Sequence, residues 1–496
     1  MIRLDLSAPV DVGHGVASGD LEFALASLLR VRERWEQGTP ALLRLPEETL
    51  RDYEERREAS PLGRVFAVAN GLHDFVDAVL MTGTEGELLP ARALIRACCD
   101  PHHNELNRAT RGSKPRMYFA DDRSDTDSIQ SLLQCLSDKR REDSDAIGRW
   151  VVVAVQPERN DVPSVVADRA AELLWDSLNG SLINPRSRKN PQNHSEKESL
   201  NDSPRSCSAS EEPISHRDHG GTLRVNESEA ADESGVVDGA RDAVMSAWMK
   251  RLLVPVAQPA SNTFPVGRWR AFGDVMRLSE GISSLNGVMS VLGLLPTAFV
   301  GLDCIQLLLG AHAMTQHFLT ADPGENLPLR YAAARLAMPG AVADKGRDAG
   351  CVFTNTPSEK IWTPALAETA QWAESLWNPK TGIVTDHHRG APGWLHSQWV
   401  QQWVLENPRA DSLACRASEE GAVSPEPKKK GEPGNIPLTL HRQAELQQSE
   451  FDAGLAARGI PTLKLIFPRI DTHVMGQTMQ MLMIAAALRN EMVAIS

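Results

Sequence analysis

WVVVAV, residues 150–155, is apolar on both faces and rich in β-branched side chains, the composition of a strand covered by helices on either side. Upstream of it, RMYFA (116–120) and DAVLM (77–81) are shorter runs of the same kind. Each is followed by turn residues and then by a longer amphipathic stretch, and strand, turn and helix in alternation is what a parallel sheet with crossover helices requires. The pattern predicts an α/β protein with Trp150–Val155 as a central parallel strand.

Outward from this region the chain changes character. Residues 20–34 carry Leu21, Phe23, Ala24, Leu28, Leu29 and Val31 at helical spacing, and residues 47–58 continue as a charged helix, so the first sixty residues read as a helical lead-in. Between about residues 179 and 239 the sequence is dense in Ser, Asn, Glu and Pro and nearly free of aromatic and branched apolar residues. Such a composition cannot bury enough surface to offset its ordering entropy, and it reads as a disordered insertion. A second stretch, 417–437 with EPKKKGEPG, reads as a flexible loop. No repeat of fixed period is visible.

The bulk properties exclude several classes of function. At 496 residues the chain is long enough for two or three domains. A formal charge of -13 argues against a nucleic-acid or anionic-membrane surface, since both need a basic face. The longest apolar stretch, 288–310, is interrupted by Pro296 and Asp303 and reads as buried core rather than a membrane span. The N-terminus MIRLDLSAPVDVG lacks a basic segment followed by an apolar one, so the expected location is the cytoplasm. Seven scattered cysteines fit free thiols.

Three groups of residues stand out by chemistry alone. Cys98, Cys99, Asp100, His102 and His103 have the composition of a metal cluster, but adjacent residues on a helix diverge by about 100° and do not converge on one ion. His387 and His388 lie in the polar loop DHHRGAPG, and no metal and no cofactor is expected at either place. Trp394, Trp399 and Trp403 fall at i, i+5 and i+9, the spacing of a packed or partner-facing helical surface.

Longer segments carry a resemblance. GVMSVLGLLPTAFVGLD (287–303) and GAHAMTQHFLTADPGENLPLR (310–330) are similar to segments of bacterial glucose-6-phosphate isomerases. ARALIRACCDPHHNEL (91–106), PRMYFADDRSDTD (115–127), AESLWNPKTG (373–382), WLHSQ (394–398) and FPRIDTHVMGQTMQMLMIAAAL (467–488) follow in that family's order. The resemblance implies a helical segment 1–60 and two sugar-isomerase (SIS) type subdomains, 61–300 and 301–496, each a parallel sheet flanked by helices. It also implies a sugar phosphate as ligand and a homodimer as the assembly, with a heteromer formed with an active paralogue as a separate expectation.

The reaction implied is interconversion of glucose 6-phosphate and fructose 6-phosphate through a cis-enediol, which needs a phosphate cradle, a proton shuttle, a charge stabiliser and a ring-opening pair. The family's G-I-G-G-S turn falls on Gly83, Thr84, Glu85, Gly86 and Glu87, leaving Gly83 and Gly86 as the remaining cradle positions between two glutamates. Its S-K-S-G-G-T turn falls on residues 156–161, where Pro157 removes a donor, Glu158 and Asp161 repel phosphate, and Arg159 is the one cation. Its G-G-R-F-S segment lies on residues 283–287 and puts Leu285 where the stabilising arginine would be. Its Q-Q-H-Q-[ED]-G segment lies on residues 400–405 and keeps Gln401. Its closing segment would begin at Ser496, so the ring-opening lysine has no counterpart in these residues.

Two proton-handling positions match: Glu374 with the family's shuttle and His396 with its ring-opening histidine. Without the resemblance, Glu374 reads as a solvated helix charge and His396 as a packing partner of the neighbouring tryptophans. The combined expectation is an isomerase-type protein with impaired or lost catalysis. The competing expectation is an active sugar-phosphate isomerase with a rebuilt pocket around Glu374, His396 and Arg159.

Overall fold

The computed structural model describes residues 2–5, 18–137, 150–156, 161–183, 234–259, 269–338, 357–378, 399–409 and 439–495. Their strands are β1 (Arg3–Asp5), β2 (Ala78–Thr82), β3 (Arg116–Ala120), β4 (Trp150–Val155), β5 (Leu253–Ala257), β6 (Met276–Arg277), β7 (Ser358–Ile361), β8 (Val400–Leu405) and β9 (Thr462–Phe467). Five of them form a sheet in the order β3-β2-β4-β5-β6, and every pairing in it is parallel. As its composition predicts, β4 takes the central place with all six residues buried. The other four form a sheet in the order β1-β9-β8-β7, parallel except where β1 runs antiparallel to β9.

The helices are α1 (Ser18–Gln37), α2 (Ala41–Arg56), α3 (Pro61–Leu72), α4 (Glu85–Cys98), α5 (Thr126–Ser137), α6 (Val162–Ile183), α7 (Ser234–Leu252), α8 (Val291–Phe299), α9 (Cys304–Thr320), α10 (Leu327–Ala337), α11 (Ala367–Trp377), α12 (Leu440–Ala456) and α13 (Thr472–Ile495). Their starts follow local chemistry. Asp303 caps α9 by accepting from the amides of Ile305 and Gln306, and Asn326 caps α10 by accepting from that of Leu329. Helices α6 and α7 lie against the first sheet, while α10, α11 and α13 pack together beside the second.

The structure modifies three expectations. The first sixty residues are not helical throughout, because Arg3–Asp5 supplies an edge strand to the second sheet, and α1 packs on α10 and α13 far downstream. Three residues are too few to show strand alternation in sequence. The insertion expected at 179–239 is helical at both ends, since α6 runs to Ile183 and α7 begins at Ser234. The middle of it and the loop 417–437 lie outside the described residues. Trp399 and Trp403 lie on strand β8 and its lead-in rather than on a helix, and both are in the core. A separation of four places residues on one face of a strand as readily as on one face of a helix, so their spacing does not decide between the two.

The stretch 288–310 is core, as expected, spread over α8 and the start of α9. Among the described residues no helix is long and apolar enough to cross a membrane. Helix α9 meets α13 at a pair of glycines. A Cβ on Gly310 would lie 2.0 Å from the His473 carbonyl oxygen, and one on Gly476 would lie 2.1 Å from that of Leu307. Both obstacles are backbone, so neither can rotate away. Gly476→Ala is therefore expected to destabilise the fold by roughly 1–3 kcal/mol or more, the usual cost of overpacking, read as a lower urea midpoint.

Candidate functional site

In the order β3-β2-β4 the chain leaves β2 toward β3 on one side and β4 on the other. The crevice beyond the C-terminal ends of β2 and β4 is the switch point where open α/β sheets hold ligands. The structure brings Gly83, Gly86, Gln156 and Leu285 together there. A Cβ on Gly83 would meet Glu87 Oε2, Leu88 Cδ2 and Val155 Cβ, each at 3.1 Å, and one on Gly86 would lie 3.9 Å from Leu285 Cδ1.

What occupies the crevice is carboxylate. The N-terminus of α4 points its free amides and the positive end of its dipole into it, the arrangement that holds phosphate in other folds. Here the amide of Thr84 donates to Glu87 Oε2 at 2.7 Å, and that of Glu85 donates to Asp122 Oδ1 at 2.7 Å. Glu87 is 1% exposed, and its other oxygen accepts from Gln156 Nε2 at 2.5 Å. Gln156 also donates to Ser284 Oγ at 3.1 Å, and it holds a left-handed backbone with φ of 47°. Strain of this kind in a non-glycine residue marks a position fixed by its surroundings. Arg159 and His396 lie outside the described residues.

Helix α11 connects this crevice to a second polar group. From its middle turn, Gln371 Nε2 donates to Glu85 Oε1 at 2.9 Å and Trp372 Nε1 donates to the carbonyl of Leu285 at 3.0 Å. Glu85 is also paired with Arg123. One turn later, Glu374 is 4% exposed and forms an ion pair with Arg335 of α10, Nη1 to Oε1 2.6 Å. It is not the solvated helix charge that its local sequence implies. Arg335 Nη1 lies 3.2 Å from the hydroxyl of Tyr331, which donates to Gln401 Oε1 at 3.3 Å. Gln401 Nε2 donates to Glu359 Oε1 at 3.2 Å, and Trp403 Nε1 donates to Glu359 Oε2 at 2.6 Å. Glu374 and Gln401 thus share one network with Arg335, Tyr331 and Glu359.

Electrostatics in this network are set by burial. Burial and then the charge of Glu374 hold the Glu359 carboxyl well above its ordinary value of 4.5, with Arg335 and the Trp403 hydrogen bond opposing. Burial pushes the Tyr331 hydroxyl up to about 12. Burial opposes the charge on Arg335, yet Glu374 and Tyr331 together keep its guanidinium above the ordinary value. Sequence reading missed both Arg335 and Glu359. The available signal for Arg335 was a lone cation in the otherwise apolar run YAAARLA, four residues after Tyr331. Glu359, in the polar run SEKI, gave none.

The other candidates resolve locally. Helix α4 ends at Cys98, the backbone then turns, and burial raises the thiols of Cys98 to about 12 and Cys99 to about 11. Among the described residues no group of three or more His, Cys, Asp or Glu is placed to hold a metal ion. His387 and His388 lie outside the described residues. A surface groove of about 720 Å³ between α2, α3 and β6 takes in none of the residues of the crevice or the buried network.

Because the folded state raises the Glu359 carboxyl, it binds more protons than the unfolded chain at pH above the ordinary carboxylate range. This group's contribution is therefore full at acid pH and is lost as pH rises through the folded value. Glu359→Gln cannot ionise, though it gives up one of the two acceptors used by Gln401 and Trp403, and its melting temperature is expected to fall less between pH 5 and pH 8 than that of the parent protein. Melting curves of the two proteins across pH check this, and a difference independent of pH contradicts it.

No protein-family model matches the chain, and no curated protein matches it in sequence. Solved structures do. One is a hypothetical protein from Thermus thermophilus, 17% identical over 99% of this chain and 94% of that one, with a TM-score of 0.59. Another is a glucose-6-phosphate isomerase from Chlamydia trachomatis, 12% identical over 99% of this chain and 84% of that one, with a TM-score of 0.57. At such identities the likeness shows the fold: an α/β architecture of parallel and mixed sheets flanked by helices, similar to that isomerase.

Proposed function

We propose that this chain is a protein of the glucose-6-phosphate isomerase type in which isomerase catalysis is strongly impaired or lost, and which persists as a binding or interaction protein. The observation that carries the reading is the N-terminus of α4, whose first amides are satisfied by the chain's own Glu87 and Asp122. A sugar phosphate entering there would have to displace a buried carboxylate that also holds Gln156. Like charges at that distance repel, so the local field favours exclusion of phosphate over its capture.

The rest of the crevice agrees. Leu285 carries no charge to steady an enediolate and offers its carbonyl to Trp372. Glu374, the position expected to move the proton, is held by Arg335 inside the core. A base for proton transfer at carbon has to reach its substrate within hydrogen-bonding distance, and a carboxylate committed to a buried arginine is poorly placed to do so. The assembly that fits this role is a homodimer or a heteromer with an active paralogue, in which the scaffold outlasts the chemistry.

Removing one preorganised electrostatic group costs about 10²–10³ in turnover, and such losses do not simply add. Purified protein is therefore expected to isomerise glucose 6-phosphate at least about a hundredfold below ordinary enzyme rates. A coupled assay of fructose 6-phosphate formation decides, and turnover at ordinary rates sinks the reading in favour of an active isomerase with a rebuilt pocket. Glu87→Gln keeps the side chain able to accept from the Thr84 amide while removing its charge. It is expected to stay folded and to gain affinity for glucose 6-phosphate in calorimetric titration, whereas an unchanged affinity would detach Glu87 from phosphate exclusion.

A further inference from the structure

Arg335 is engaged on one edge only. Its Nη1 meets Glu374 and Tyr331, while Nε and Nη2 have no hydrogen-bond partner. The side chain is 1% exposed, so bulk solvent does not reach it. Its Cζ lies 4.5 Å from the ring centroid of Trp377, 5.5 Å from that of Trp399 and 5.9 Å from that of Tyr331. Trp399, itself 1% exposed, also has an unpartnered donor at Nε1. A buried donor without an acceptor is costly, more so when it is charged, and these three lie beside Glu374, whose two oxygens also lack hydrogen-bond partners, so the polar group as a whole is incompletely paired.

Arg489 of α13 has its Cζ 5.7 Å from the Trp377 ring centroid, and after burial it is the charge of Arg335 that lowers its pKa. The Arg335 guanidinium is paired with one carboxylate, Glu374, while Glu359 is held toward its neutral form. A planar guanidinium whose Nε and Nη2 lie free along one edge is the fork that matches two oxygens of a carboxylate or phosphate. Ring stacking fixes the plane of that fork in advance, which lowers the entropy lost on binding.

We propose that the Nε–Nη2 edge of Arg335, with Trp399 Nε1 beside it, is the receptor for an oxyanion of a small ligand, a carboxylate or a phosphate, held bidentately next to Glu374. This rests on the reading of the chain as a binding protein and names the group it binds. The anion-handling arginine absent at Leu285 is thereby supplied from α10, on the side of the second sheet.

The test uses the full chain, titrated at constant ionic strength with inorganic phosphate, with malonate and with uncharged glucose. Tryptophan fluorescence is the readout, because Trp377 and Trp399 both lie against Arg335. A saturable change with phosphate or malonate and none with glucose is expected, and the stronger of the two anions identifies the headgroup. Arg335→Lys keeps the charge facing Glu374 but removes the fork, and should raise the dissociation constant about tenfold or more. Trp399→Phe keeps the ring and removes one donor, and should raise it severalfold even if the lysine variant does not fold. No saturable response to either anion, or an unchanged constant in a folded Arg335→Lys or in Trp399→Phe, overturns the proposal. Isomerase turnover in the coupled assay would overturn the reading of lost catalysis and leave the anion titration standing.

Discussion

Burying the Glu374–Arg335 ion pair constrains everything around it. Two charges removed from water are tolerable only when each finds the other and the remaining polar atoms find partners, and stranding one of such a pair costs about 3–5 kcal/mol. Helices α10 and α11 are therefore fixed in register where Arg335 and Glu374 meet at 2.6 Å. Tyr331, Gln401, Glu359 and Trp403 extend that requirement into strands β7 and β8. Gln371 and Trp372, on the same helix as Glu374, extend it to the first sheet through Glu85 and Leu285. One eleven-residue helix thus ties both sheets to one buried charge pair.

The two ends of α11 face opposite electrostatic situations. Toward the first sheet, the dipole of α4 is answered by the chain's own carboxylates, and the crevice where an anion would bind in related architectures holds Glu87 at 1% exposure. Toward the second sheet, a guanidinium clamped between aromatic rings keeps two donors without acceptors. Negative charge has been built into the first position, and at the second an arginine already paired with Glu374 keeps one edge without hydrogen-bond partners.

Much of the scaffold was legible in the sequence because its signals are local. Composition alone marks β2, β3 and β4, and the central place of β4 follows from its being apolar on both faces. Glu85, Glu87 and Leu285 could likewise be singled out from the resemblance of short segments, and the structure gathers them at one crevice. What could not be read depends on partners remote in the chain. Glu359 is an ordinary strand glutamate until Glu374, Gln401 and Trp403 surround it, and their positions follow from the pairing of β7 with β8. Burial of Glu374 is invisible for the same reason, since its helix shows a charge among apolar residues whether that charge is solvated or paired. Trp399 and Trp403 mislead because four residues suit either period, and only the parallel pairing of β8 with β9 settles which applies.

A buried polar network is a costly way to hold a fold together. Apolar groups of the same volume often serve as well or better, because they avoid the desolvation of charges. This network carries that cost twice, in a carboxyl that burial pushes toward its neutral form and in a guanidinium with two unanswered donors. If its role were only to join α10, α11 and β8, every donor should be matched, as those of Gln401 and Trp403 are. The unmatched groups instead gather at the edge of Arg335, the neighbouring indole of Trp399 and the two oxygens of Glu374, while the acceptors on the Glu359 side are engaged. Strain localised in this way is the mark of a site shaped for something beyond its own packing, and its chemistry selects a ligand that brings oxygen and negative charge.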